Sequence, residues 1–157
     1  MPTWPLTISM RNLPPVRRTV AFFALLFARL TDAHAAGPTA EHAAACVAAL
    51  ESQAEEMAER FRQGHPELEP ALIELAQQGF AFIGTAWKQG LREAEANRLL
   101  KAAEESQKSL SPHELAERQS ACRKEGATLL ARANIVERAF VQRAAQRRVD
   151  KLKRPSH

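Results

Sequence analysis

The sequence predicts an all-α protein. Three observations carry that reading: abundant alanine with no tyrosine, apolar residues recurring at three-and-four spacing over long stretches, and one strong helix-start signal in the second half of the chain. The expected architecture is an antiparallel bundle of three long helices, or four should the middle helix break, with one inter-helix disulfide.

The first 35 residues read as a cleavable signal peptide and are set aside before the bundle is derived. Arg11, Arg17 and Arg18 form a positive leading region, Thr19 to Ala28 (TVAFFALLFA) a ten-residue apolar stretch, and Ala33-His34-Ala35 a small-x-small cleavage signal. Ten residues of helix span roughly 15 Å, about half a bilayer core, which is too short for a stable anchor. Met10 is an alternative start. Arg17-Arg18 hints at a twin-arginine signal, but the apolar residues after it are misplaced for one, so general secretion is the expected route. No cysteine follows the apolar stretch to take a lipid.

Cleavage after Ala35 leaves residues 36–157 as one helical-bundle domain with no transmembrane segment expected. Removal of Arg11, Arg17, Arg18, Arg29 and Asp32 leaves 18 basic and 17 acidic side chains, a net charge of +1 in place of +4 for the whole chain. The overall basic character therefore belongs largely to the leading segment.

The first helix is expected from about Thr39 to Arg62, on a stripe of Ala43, Cys46, Val47, Leu50, Ala54, Met57 and Phe61. Gln63-Gly64-His65-Pro66 ends it. The second is expected to start between Pro66 and Pro70 and to reach about Lys108. Leu72, Leu75, Ala76, Gly79, Ile83, Ala86, Trp87, Leu91 and Ala94 form its stripe, and the centre (GFAFIGTAW) is apolar on several faces, as the most buried helix would be. Gly79, Gly84 and Gly90 in it mark either close helix approach or a kink.

The third helix has the clearest beginning. Ser111-Pro112-His113-Glu114 is a capping box with proline at the first helical position, flanked by Leu110 and Leu115 as a hydrophobic staple. Leu115, Gln119, Cys122, Gly126, Leu129, Ala133, Val136 and Phe140 then repeat at alternating four and three, a coiled-coil-like seam in a helix running to about Leu152. With short connections, three helices alternate in direction, so the first and third should run parallel. Cys46 and Cys122 would then lie near the same end of the bundle. An oxidising compartment makes their disulfide the simplest use of two cysteines.

Chemical motifs are few. His113-Glu114-Leu115-Ala116-Glu117 resembles half of a zinc-protease helix, but Glu117 replaces the second histidine and the cap explains Glu114. His42 and Cys46, four apart on one helical face, form a weak metal candidate that Cys122 could join. No haem-attachment motif is present; Met57 with His42, His65, His113 or His157 is the remaining axial-ligand combination, and a core-filling Met57 is the simpler reading. No cofactor is expected.

Charge is segregated: residues 36–117 carry 14 acidic and 7 basic side chains, residues 118–157 carry 3 and 11. Arg143, Arg147, Arg148, Lys151, Lys153 and Arg154 cluster at the end, either as a solvated helix terminus or as a contact for an anionic partner. Neutralising Arg147, Arg148 and Lys151 together is expected to leave folding almost untouched. The expected function is that of a bacterial periplasmic or secreted, non-enzymatic interaction or adaptor module. Its partner would be an envelope protein or an anionic envelope surface; nucleic acid is not expected. The alternative is a small-ligand or metal-binding helical bundle.

Overall fold

A computed structural model describes residues 37–154; the leading segment of residues 1–35, and His157, lie outside them. Among the described residues there are five α-helices, one short 3-10 turn and no strand. We label them α1 (Ala40–Arg62), α2 (Glu69–Lys88), α3 (Glu93–Gln107), α4 (Pro112–Arg132) and α5 (Ile135–Leu152), with the 3-10 turn Pro66–Leu68 between α1 and α2. The expectation of three long helices is corrected: the second and third each divide in two.

The first helix matches its expectation. Thr39 caps it, its hydroxyl accepting from the His42 backbone N–H, and Gly64 ends it at φ +104°, where a side chain would be strained. The break in the middle helix falls at Gly90, at φ +100°. Leu91 N–H donates to Ala86 O and Gly90 N–H to Trp87 O, the paired bonds of a Schellman ending. A β-carbon on Gly79 or Gly84 would meet nothing within 4 Å, so neither glycine serves a close approach.

The last long helix breaks between Ala133 and Asn134. The Asn134 side chain accepts from Val136 N–H and Glu137 N–H, both at 3.0 Å, and the Glu137 carboxylate accepts from Asn134 N–H at 3.1 Å. This is a second capping box, and it satisfies the backbone donors exposed at the start of α5. The expected seam through Val136 and Phe140 is thereby corrected. The turn at Ala133, with extended backbone (ψ 141°), re-aims α5 so that Val141, Ala145 and Val149 face the core instead.

Packing centres on α1 and α2. Alanines and Cys46 along α1 are buried with Leu50, and meet Leu72, Leu75, Phe82 and Ala86 of α2; Cys122 and Val149 close the cluster from α4 and α5. The small α1 side chains let its neighbours come close. Phe82, Leu50 and Leu72 are the large buried groups, each contributing about 1.5–3 kcal/mol by leaving water. Gly126 of α4 lies against Gln78 of α2, where an added β-carbon would stand 2.8 Å from the Gln78 Cβ.

Helix directions follow from cross-helix contacts. Glu137 pairs with Lys88 at one end of α5 and Lys153 with Glu69 at the other, so α5 runs antiparallel to α2. Cys122 bonds Cys46, while Glu125, one turn onward, meets His42, one turn back. At that crossing α4 therefore runs opposite to α1. The expected parallel relation is overturned because the extra helix α3 reverses the chain once more. The expected cysteine pairing nevertheless holds, with the two Sγ atoms at bonding distance, 2.04 Å.

Candidate functional site

Three places gather side chains with chemical potential: the basic end of α5, an apolar groove at its beginning, and the surroundings of the disulfide.

The six basic residues singled out in the sequence divide into two sets. Arg148 pairs with Glu51 and lies 3.9 Å from Glu55 on α1. Lys153 Nζ is 2.7 Å from Glu69 and 3.2 Å from Asp150, and sits over the Phe61 ring. The Glu69 hydrogen bond above all, then Asp150, holds the Lys153 ammonium above the usual lysine range. Asp150 is lowered, first by Gln146 and then by Lys153. These two cations seat α5 on the α1–α2 pair. Arg148 therefore does not belong in a substitution meant to spare the fold, which corrects that expectation.

The other four, Arg143, Arg147, Lys151 and Arg154, are exposed. Arg143, Arg147 and Lys151, four apart, lie on the side of α5 opposite the buried Val141, Ala145 and Val149, and Arg154 follows just past the end of the helix. The same line continued toward the start of the helix passes through Phe140 and Val136. The outer stripe of α5 thus reads apolar, then basic.

Val136 and Phe140 are 74% and 67% exposed, and Ile83 and Trp87 on α2 46% and 56%. The expectation that Ile83 and Trp87 belong to a buried stripe is corrected. Between α2, the end of α4 and the start of α5 runs a groove of about 610 Å³ lined by Phe80, Ile83, Trp87, Leu129, Val136 and Phe140. A second hollow of about 300 Å³, bounded by Ala43, Val47, Leu91 and Leu100, shares Ile83 and Trp87 with it. Those two side chains form a ridge between two apolar depressions. Arg92 stacks its guanidinium 4.6 Å from the Trp87 ring centroid, holding the indole in place. The sequence signal for this surface was the surplus of apolar residues in GFAFIGTAW: α2 has one apolar face for the core and another for the groove.

At the disulfide, His42 Nε2 is 2.7 Å from Glu125 Oε2 and 3.7 Å from Cys46 Sγ. The His42 ring packs edge-on to Phe82. The remaining histidines among the described residues pair with nearby glutamates, His65 with Glu67 and His113 with Glu117. Met57 packs at the edge of the core, and Glu114 completes the Ser111 capping box. No helix of the described residues is long and apolar enough to cross a membrane.

No protein family, no curated protein and no solved structure matches the chain.

Proposed function

We propose that the chain is an exported, non-enzymatic binding module of the bacterial envelope that holds a partner protein across α2 and α5. The observation that carries this reading is the apolar groove between Trp87 and Phe140, continuous with the basic stripe of α5. Large apolar side chains exposed together, next to one-signed charge, characterise surfaces that are covered in use. The surface is concave, which suits an inserted helix or hairpin better than a flat lipid layer. Arg143, Arg147, Lys151 and Arg154 would then meet acidic side chains flanking the inserted apolar segment. Such charges act mainly on association rate and on the choice of partner.

The test is capture of envelope proteins by the purified exported chain at several salt concentrations. Val136→Asp with Phe140→Asp alters only exposed side chains and should abolish capture. Arg143→Gln, Arg147→Gln and Lys151→Gln together should weaken it at low salt and flatten its salt dependence. Capture that survives both sets unchanged would exclude this face. Binding to anionic vesicles in place of any protein would assign the stripe to lipid headgroups.

A further inference from the structure

Where α4 crosses α1, the metal-ligating atoms of His42, Cys46 and Glu125 converge, and Cys122 adjoins them through its bond to Cys46. His42 and Cys46 stand one turn apart on α1, and Cys122 and Glu125 one turn apart on α4. The donor atoms of His42, Cys46 and Glu125 all lie within 4.8 Å of one another, and Cys122 Sγ is bonded to Cys46 Sγ. Each helix therefore offers a pair at the spacing that points two side chains to one spot.

One imidazole, one carboxylate and two sulfurs make a donor set suited to a tetrahedral divalent ion of the zinc type. Around such an ion, ligands at about 2.0–2.3 Å stand about 3–4 Å from each other. The 3.7 Å between His42 Nε2 and Cys46 Sγ falls in that range, and the 2.7 Å between His42 and Glu125 needs only a small opening. The sulfurs ligate as thiolates, so the bond between them must first be broken. Neither the disulfide nor the core requires an imidazole and a carboxylate beside it.

We propose that reduction of the Cys46–Cys122 disulfide converts this crossing into a four-ligand zinc-type site formed by His42, Cys46, Cys122 and Glu125. A dithiol reductant supplies two electrons and two protons. The S–S bond breaks, both cysteines become thiols, and the reductant closes its own disulfide. Metal binding then displaces the two thiol protons. The α1–α4 staple persists in either state, covalent when oxidised and metal-bridged when reduced. This inference is independent of the groove and its partner.

The probe is cobalt(II), titrated into the full chain after reduction with a phosphine. One cobalt per chain should bind, with the visible absorption of a tetrahedral ion and a thiolate-to-cobalt charge-transfer band, and zinc should displace it. The oxidised chain should show neither band. Cys46→Ser with Cys122→Ser should remove the charge-transfer band. His42→Ala and Glu125→Ala should each weaken binding by about tenfold or more. Both variants are checked for native helicity in the oxidised state, where the disulfide holds the crossing without metal. Absence of a tetrahedral spectrum in the reduced chain would overturn the proposal. So would one whose strength is unchanged in both the His42 and Glu125 variants, since the sulfurs would then be binding alone.

Discussion

Gly126 of α4 sits so close to Gln78 of α2 that a β-carbon would stand 2.8 Å from the Gln78 Cβ and 3.2 Å from its Cα. Neither atom is the far end of a flexible side chain. Gly126→Ala should therefore cost about 1–3 kcal/mol of stability through overpacking, although alanine favours helix by about 1 kcal/mol. Gly79→Ala, in the open, should instead stabilise by about 0.5–1 kcal/mol. Urea unfolding of both variants measures the contrast; equal shifts would show that α4 does not lie this close to α2.

The start of α5 should be sensitive to its cap and to acid. Asn134→Ala removes two hydrogen bonds to backbone donors and should cost about 1 kcal/mol in denaturant unfolding. Glu137 is held below the ordinary glutamate range, first by its bond with Lys88 and then by the Asn134 backbone. Glu114 is lowered by Ser111 in the same way. A carboxyl lowered in the folded state contributes stability above its unfolded value, and that contribution is lost as pH falls through the lowered value. Melting temperature should therefore drop below the ordinary glutamate range, and less steeply in Glu137→Gln. An identical acid profile in that variant would contradict the contacts of Glu137 with Lys88 and with the Asn134 backbone.

The cations of α5 should separate by role. Arg148→Gln should lower stability by up to about 1 kcal/mol, because Glu51 loses its half-buried partner. Arg143→Gln, Arg147→Gln and Lys151→Gln together should leave the thermal midpoint unchanged. A loss from the triple variant matching that of Arg148→Gln would place the exposed stripe in the fold.

The disulfide closes a loop between cysteines 76 residues apart, a constraint on the unfolded chain worth about 4 kcal/mol in the chain-entropy treatment. Thiol labelling of the denatured chain, purified without reductant, should find no free cysteine, and Cys46→Ala with Cys122→Ala should lower the thermal midpoint by more than about 10 °C. Two reactive thiols in that protein would contradict the oxidised staple.

These contrasts also show what the residues alone made legible. The cap at Ser111 and the stop at Gly64 are local, and local chemistry set those boundaries. Asn134-x-x-Glu137 was equally local, but the four-and-three repeat runs through it to Phe140, and the continuing pattern concealed the break. Gly90 could not be told from Gly79 and Gly84, because only the backbone angle distinguishes them. The two cysteine sulfurs lie at bonding distance, as expected, yet the helices that carry them run in opposite directions and not in parallel; the count of two cysteines was the stronger signal. Glu125 as a neighbour of His42 was invisible, since it depends on the direction of α4. The exposure of Trp87 and Ile83 depends likewise on where α4 and α5 stop covering α2.

The most direct measurement on the proposed binding face is photo-crosslinking in living cells from a reactive side chain placed at Phe140, with Lys101 on α3 as the comparison position. The binding-module account predicts a discrete protein adduct from position 140, none of that size from position 101, and a lower yield of the adduct when Arg143, Arg147 and Lys151 are neutralised. A protein adduct from position 101 with none from position 140, or lipid alone at position 140, would contradict it.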